Sequence, residues 1–401
     1  MSQETKTEQP KKIYSYLMMA GHMCCDLNQS NVPALLPFLV AQRGIDYAAA
    51  AGLMFASSSL SSLIQPLLGI LADRKQRPWL MGFGILLTGL GIASIGFLNN
   101  YWSIFAVIMF AGFGSALFHP EGGRMANCVA GEKKGRAMST FTAGGNLGFV
   151  VGPLITAVTV PMWGLKGTAA LLIPTFAMVV VLFALRKKLQ ILSDIQQRKV
   201  VEKAAAEHRK DDWGAFLKLC VSIFMRSIVQ NGIQTFIPLY WAGVLMQTQQ
   251  RSSLMVTVIS LASAAAAFTG GRLADRFGFK RVICVAFSMV MPLIILLLFT
   301  KNVLLATILV IPISAMTQLG HSPAVVLGQR YLPNRLGLAS GVTIGLAVSM
   351  GGMCSPLLGR IGDAYGLTTA IYVVAGVALL GFLSTLLIKD AKNDEPENVI
   401  G

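Results

Sequence analysis

Charged residues are scarce in this chain. Of its 401 residues, 13% are charged and 54% are hydrophobic, and the mean hydropathy is +0.64. A soluble domain of this size needs more polar surface than such a composition supplies. The sequence therefore excludes a soluble globular protein and predicts an integral membrane protein.

The sequence also lacks the motifs on which common enzyme classes depend. It contains no H-E-x-x-H, G-x-S-x-G or P-loop sequence and no soluble stretch long enough for a nucleotide-binding domain. The cysteines form no C-x-x-C pair, and we interpret them as packing residues. We therefore expect a protein that is not an enzyme, is not driven by ATP and needs neither a metal ion nor a cofactor.

Acidic residues are few: Asp and Glu number 18 against 33 Lys and Arg, which gives a net charge of +15. If both termini are cytoplasmic, 25 of the cations fall on the inner side, 5 on the outer side and 3 within apolar segments. This bias follows the positive-inside rule and predicts a multi-pass protein of the bacterial inner membrane in that orientation. The basic charge thus indicates contact with membrane lipid and no nucleic acid.

Long apolar segments fill most of the chain. We count twelve stretches long enough to cross a hydrocarbon core of about 30 Å as helices that rise about 1.5 Å per residue. They cover residues 13–40, 47–71, 79–98, 102–128, 136–160, 168–186, 213–241, 252–271, 281–300, 303–328, 337–359 and 368–388. The sequence therefore predicts an all-α integral membrane protein with twelve transmembrane helices.

A polar stretch of mixed charge divides these segments into six and six. Its good helix formers predict a partly helical cytoplasmic linker rather than a folded domain. The predicted parts are a cytoplasmic leader 1–12, a six-helix bundle 13–186, the linker 187–212, a second six-helix bundle 213–389 and a cytoplasmic tail 390–401.

One phrase, G-x-L-A-D-R followed by further basic residues, occurs twice. Its two aspartates, Asp73 and Asp275, are 202 residues apart, about half of the chain, which indicates two similar halves. An acid at a helix end can bind the free amides at the start of another helix, and glycine allows close approach. We predict a conformational latch; a simple positively charged anchor is the alternative. The predicted latch residues are Gly69, Asp73, Arg74, Arg77, Gly271, Asp275, Arg276 and Arg281.

A second motif lies in the fifth segment. Gly148 and Gly152 are four residues apart and are followed directly by Pro153. Glycines at this spacing give a helix a smooth face for close packing, and proline bends it. We predict a helix-packing site here.

The repeated phrase, at equivalent places in the two halves, resembles the signature of the major facilitator superfamily. The resemblance covers the whole chain and implies two pseudo-symmetric six-helix bundles that transport by alternating access. The fifth-segment motif resembles one associated with antiporters of that superfamily.

A closer similarity is to the fosmidomycin resistance proteins, a branch of drug exporters. It is carried by phrases spread over nearly all segments: Leu63-Ile-Gln65-Pro66, Arg77-Pro78-Trp79, Phe118-His119-Pro120-Glu121, Gly144-Gly145-Asn146, Arg335-Leu-Gly337 and Ser340-Gly341, with His22 and Asp26.

Ionisable residues within the membrane are the candidates for function, because each costs at least about 2.5 to 3.5 kcal/mol at the bilayer centre. They concentrate on segments one, four, seven and ten, which line the central cavity in the superfamily fold. The proton-coupling candidates are His22, Asp26, His119 and Glu121. The substrate-binding candidates are Gln29, Arg124, Arg226, Gln230, Gln234 and His321.

Two alternatives stay open among these residues. Glu121 and Arg124 are three residues apart and either form a static ion pair or take part in coupling. Arg226 either pairs with an acid across the cavity or binds an anionic substrate.

The sequence thus predicts a secondary active transporter, namely a proton-coupled exporter of drugs or small organic anions. The alternative within transport is a proton-coupled symporter that takes up a small organic anion, and the alternative outside it is a membrane receptor. We expect the partners to be a small-molecule substrate, protons and membrane lipid, and we expect a monomer.

Overall fold

The structure is a computed structural model that describes residues 12–74, 77–129, 134–201, 211–332, 335, 338–339, 342–343 and 347–389. These residues form helices and short connections, with no strand among them. The α-helices are α1 (Lys12–Gln29), α2 (Asn31–Arg43), α3 (Tyr47–Arg74), α4 (Trp79–Ser94), α5 (Tyr101–Cys128), α6 (Lys134–Trp163), α7 (Leu172–Val201), α8 (Trp213–Gly243), α9 (Gln249–Phe277), α10 (Phe279–Phe299), α11 (Val303–Leu319), α12 (His321–Tyr331), α13 (Ala347–Tyr365) and α14 (Leu367–Leu386).

These helices reproduce the predicted membrane segments. Eight stretches of the described residues are long and apolar enough to cross a membrane, and one of them, Ala137–Asp194, covers most of both α6 and α7. The stretches therefore account for nine predicted segments. The remaining three correspond to α1 with α2, to α3 and to α13.

The two halves are packed against each other. In the first half α1 lies against α6 and α5 against α3 and α4, while in the second α8 and α10 lie against α14. The halves meet where α3 contacts α13 and where α6 contacts α9. Large apolar side chains such as Phe299 and Leu304 are 76% and 71% exposed. Such an apolar exterior is what a surface in contact with lipid requires.

Glycines of α6 bring α1 close. A Cβ atom at Gly148 would lie 2.7 Å from the backbone nitrogen of Leu27, and one at Gly152 would lie 3.0 Å from Nδ2 of Asn31. Pro153 lies inside α6 and does not end it. The predicted packing motif therefore faces α1 and the start of α2, with a separation that side chains at Gly148 and Gly152 would prevent.

The bundle has two ends, which we name by the central linker. At the linker face, Asp212 donates from its backbone nitrogen to the carbonyl of Tyr331 at 2.7 Å, and its carboxylate lies 3.7 Å from Nζ of Lys389. At the opposite face, Asp363 at the end of α13 accepts hydrogen bonds from the backbone nitrogens of Tyr47 and Ala48, which begin α3. The first and second halves are therefore joined at the opposite face.

The predicted latch residues lie at the linker face, where α3 and α9 end and where α4 and α10 begin. In the second copy Asp275, Arg276 and Arg281 are exposed, and Gly271 lies one turn before Asp275 with open space around its Cα. In the first copy Arg77 is half-buried, but the side chains that end α3 lie outside the described residues. The latch stays a prediction.

The predicted domain boundaries also stay a prediction. The helix α7 continues past residue 186 to Val201, so the first part of the predicted linker is helical. The leader 1–11, the linker residues 202–210, the tail 390–401 and the second-half residues Gly337, Ser340 and Gly341 lie outside the described residues.

Candidate proton and substrate sites

Asp26 lies between two histidines in the first half. Its Oδ2 is 3.1 Å from Nε2 of His22, one turn earlier on α1, and its Oδ1 is 3.1 Å from Nε2 of His119 on α5. The Asp26 side chain is 6% exposed, whereas those of His22 and His119 are 12% and 28% exposed. Each oxygen of the carboxylate thus faces one imidazole at the same distance.

A backbone acceptor fixes the position of one hydrogen of His22. A carbonyl oxygen can only accept, so Nδ1 of His22, 2.8 Å from the carbonyl of Phe141, carries a hydrogen. The contact with Asp26 then needs one more proton, on Nε2 of His22 or on the carboxylate. Without that proton, a nitrogen lone pair faces an ionised oxygen. The His22–Asp26 pair therefore holds one exchangeable proton and is neutral with it and singly negative without it.

Nδ1 of His119 has two possible hydrogen-bond partners, an acceptor and a hydroxyl that can donate. Its Nδ1 lies 3.0 Å from the Ser115 hydroxyl and 2.9 Å from the Ser115 carbonyl. With the hydroxyl as donor, a neutral His119 can donate from Nε2 to Asp26. If Nδ1 instead donates to the carbonyl, as in His22, the contact of His119 with Asp26 needs a further proton.

The third helix at this site is α6. The ring of Phe141 stacks on His22 with centroids 4.1 Å apart, and its carbonyl orients the imidazole. A Cβ atom at Gly145 would lie 2.7 Å from Oδ2 of Asp26 and 2.6 Å from Cε1 of His22. The pair therefore fits between α1 and α6 because residue 145 has no side chain.

Glu121 and Arg124 form a separate ion pair on α5. Glu121 is 1% exposed and accepts hydrogen bonds from Nη2 and Nε of Arg124, the latter at 3.3 Å. Nη1 of Arg124 donates to the Ser193 hydroxyl of α7 at 2.8 Å. This geometry favours the static ion pair of the two alternatives, because both charges already have partners.

Arg226 of α8 differs from Arg124. It is 5% exposed, its Nη1 donates to Oε1 of Gln318 at 3.3 Å, and its Nε has no partner. Among the residues that the structure describes, no ion pair joins Arg226 to a carboxylate. Since Asp26 and Glu121 have partners in the first half, this arrangement favours an anionic ligand for Arg226.

Three of the other predicted substrate residues, Gln230, Gln234 and His321, lie in the second half with this arginine, whereas Gln29 lies in the first half. Gln230 follows Arg226 by one turn of α8, and His321 begins α12 three residues after Gln318. Oε1 of Gln230 and Nδ1 of His321 are buried without a partner. Gln29 of α1 and Gln234 of α8 are half-buried. The second half thus contains a polar group of side chains whose hydrogen-bonding capacity is not used.

Five participants were not among the predicted site residues: Ser115, Phe141, Gly145, Ser193 and Gln318. Ser115 could have been found from its position one turn before His119. Gln318 could have been found from its position three residues before His321. Phe141 and Gly145 carry no such signal, because a backbone carbonyl and a missing side chain leave no polar residue in the sequence, and Ser193 is far from Arg124 in the chain.

Among the described residues, the one group of donors close enough to hold a metal ion is His22, Asp26 and His119, whose ligand atoms lie within 4.8 Å of one another. A metal ion there would replace both imidazole–carboxylate contacts. The sequence predicts no metal ion here, and this stays a prediction.

The fold and these two polar sites define a multi-pass membrane transporter. The model of the Major Facilitator Superfamily matches residues 18–247 and 219–400. The chain is 31% identical to the MFS-type transporter YfnC of Bacillus subtilis (strain 168) over 398 residues, which are 98% of this chain and 97% of that protein. It is 26% identical to the fosmidomycin resistance protein of Escherichia coli (strain K12), with 93% and 92% of the two chains covered.

Solved structures share the fold. A bacterial homologue of the human lysosomal transporter Spinster, in an inward-facing and occupied conformation, superposes with a TM-score of 0.78 over 95% of this chain and 97% of the other. The sequence identity is 12%, so this likeness concerns the fold alone.

The chain therefore belongs to the Major Facilitator Superfamily, and it is a secondary transporter. The predictions of the superfamily, of twelve membrane helices in two bundles and of a protein that is not an enzyme are confirmed. The orientation in the membrane, the monomeric state and the roles of the site residues stay predictions.

The tautomer of His22 can be tested directly. The chain has four histidines, so ¹⁵N-histidine NMR in lipid is practicable, with His22→Gln to assign the signal. Because Nδ1 of His22 donates to a carbonyl, we expect Nδ1 to stay protonated at every pH, whichever of Nε2 and the Asp26 carboxylate binds the exchangeable proton. A His22 signal with an unprotonated Nδ1 would contradict this arrangement.

Proposed function

We propose that this protein is a proton-coupled exporter of drugs or small organic anions in the bacterial inner membrane. The observation that carries the proposal is that the candidate proton site and the candidate substrate site lie in different halves. One half contains a buried pair that holds one exchangeable proton, and the other contains a buried arginine without a carboxylate partner. Export is supported by the resemblance to a resistance protein over most of both chains.

The proton pair supplies a two-state element for coupling. Loss of its proton leaves a negative charge in a low-dielectric site and turns the His22–Asp26 contact from attractive to repulsive. The pair lies on α1 and packs against Phe141 and Gly145 of α6, so such a change favours a different arrangement of these two helices. A ligand that binds the two arrangements with different affinity is thereby coupled to the proton.

A second candidate is uptake of an anion together with a proton. The protonated pair is one unit more positive than the deprotonated pair, so electrostatics alone make an anion at Arg226 bind better to the protonated protein. An exporter that exchanges substrate for protons requires the reverse preference, through the change in helix arrangement. The sign of this linkage decides between the two candidates.

The direction of transport tests the proposal. Proteoliposomes are given a pH gradient and equal substrate on both sides, starting with anionic antibiotics. Exchange for protons should accumulate substrate in the acidic compartment, whereas uptake with protons should accumulate it in the alkaline one. Accumulation in the alkaline compartment would reject export and select the second candidate; no gradient-driven accumulation of any tested anion would reject both.

Coupling should fail when the proton pair is removed. In Asp26→Asn and in His22→Gln the exchangeable proton is lost, so we expect gradient-driven accumulation to fall to the level of empty liposomes while substrate exchange continues. His119→Gln is the matched control, because its amide can still donate to Asp26. Full accumulation by Asp26→Asn would show that the proton is carried elsewhere.

We expect the preference for an anionic substrate to depend on Arg226. Removing one partner of a buried charge-assisted contact costs about 2 to 5 kcal/mol, so Arg226→Ala should weaken binding of an anionic substrate by more than about tenfold. Binding of a neutral analogue should change little. The control is Lys218→Ala, which removes an exposed cation two turns earlier on α8. Equal losses for anionic and neutral ligands would mean that Arg226 acts through structure and not through charge.

A further inference from the structure

The contact between the halves at the opposite face is carried by one exposed carboxylate. Oδ1 of Asp363 accepts from the backbone nitrogen of Tyr47 at 2.8 Å, and Oδ2 accepts from that of Ala48 at 2.9 Å. Asp363 lies at the end of α13 in the second half, whereas Tyr47 and Ala48 begin α3 in the first. The carboxylate of one half thus caps a helix of the other half.

The surfaces around this cap fit closely. A Cβ atom at Gly359, one turn before Asp363, would lie 2.6 Å from Cα of Ala48. A Cβ atom at Gly243, at the end of α8, would lie 2.9 Å from the hydroxyl of Tyr47. The start of α3 therefore packs against two glycines of the second half. Separation of the halves here breaks this packing and both hydrogen bonds of Asp363.

The start of α3 does not need Asp363 in order to be a capped helix. Asp46, which precedes α3 in its own half, accepts from the backbone nitrogen of Ala49 at 2.7 Å. The first turn thus has one cap from within the half and one from across the interface. A cap across the interface stabilises the helix only while the halves are together.

The contact is also one-sided. By the repeat spacing of 202 residues, the counterpart of Asp363 is Pro161 near the end of α6, and the counterpart of Tyr47 is Gln249 at the start of α9. The start of α9 is capped by its own Thr248, which accepts from the backbone nitrogen of Arg251 at 3.3 Å. The first half therefore has no acid at the position equivalent to Asp363. The carboxylate contact occurs at only one of the two equivalent places in the repeat.

We propose that Asp363 is a gating residue that holds the opposite face closed during the transport cycle. The contact, together with Gly359 and Gly243, forms what we call the opposite-face clasp. It stabilises the state in which the central sites are reached from the linker face, and it must open for the other state to form. This proposal rests on alternating access but not on the identity of the substrate or on proton coupling.

The gating role is measured by the distance between the halves. Spin labels are placed at Asn99, between α4 and α5, and at Lys301, between α10 and α11, which are exposed loop positions of the two halves at this face. Double electron–electron resonance in lipid, on a background without native cysteines, then reports closed and open populations. Loss of a helix cap predicts that Asp363→Ala raises the ratio of open to closed protein by about twofold to thirtyfold.

Two further variants separate gating from capping. Asp46→Ala removes the cap of the same helix turn from within one half, so it should leave the ratio unchanged. Gly359→Ala separates the surfaces without altering the carboxylate, so it should shift the ratio in the same direction as Asp363→Ala. An unchanged distance in Asp363→Ala, or equal shifts in Asp363→Ala and Asp46→Ala, would overturn the proposal.

The measurement also distinguishes this proposal from the transport proposal. It uses neither substrate nor a pH gradient. If the clasp variants shift the populations but no substrate is exchanged for protons, the gating role stands and the exporter fails. If the populations do not move while transport is driven by protons, the exporter stands and the clasp fails.

Discussion

The structure depends on one constraint: a charge placed inside the membrane needs a partner within hydrogen-bonding distance. Three helices meet this constraint for Asp26, because His22 comes from α1, His119 from α5, and the carbonyl that orients His22 from α6. Glu121 meets it within α5 through Arg124, whose third contact reaches α7. The charges of the first half thus tie its helices together. Arg226 in the second half has only the neutral Gln318 as a partner for Nη1 and none for Nε, so its charge is left without a carboxylate among the described residues, and an anionic ligand is expected there.

Meeting the constraint for Asp26 requires that α1 and α6 approach more closely than ordinary side chains permit. Gly145 provides the space for the His22–Asp26 pair itself, and Gly148 and Gly152 keep the same separation along the next two turns. The glycine motif and the proton pair are therefore parts of one arrangement. A change in the charge of the pair acts on the interface that those glycines make, so protonation and helix packing are physically linked without any intermediate element.

Much of this architecture can be predicted from sequence, because membrane spans are set by length and apolarity within one segment. The ion pair of Glu121 and Arg124 can be proposed for the same reason, since residues three apart on a helix are neighbours. The contact of Asp26 with His119 joins residues far apart in the chain, and no local pattern encodes it. Asp363 was missed because an acid at the exposed end of a membrane segment is ordinary; its meaning comes from the helix start that the other half places beside it.

The location of the two sites limits how they can communicate. The proton pair and Arg226 belong to different halves, and both already have their nearest partners within their own half. Direct exchange of a partner, with Arg226 replacing a histidine on Asp26, would require Asp26 to leave two contacts and would leave His22 facing an empty site. Coupling through the relative position of the halves avoids that cost, since each site can keep its internal contacts while the interface changes. On this view the interface, and not a shared atom, connects proton and substrate, and the residues that set the balance between its open and closed forms matter as much to transport as those that bind.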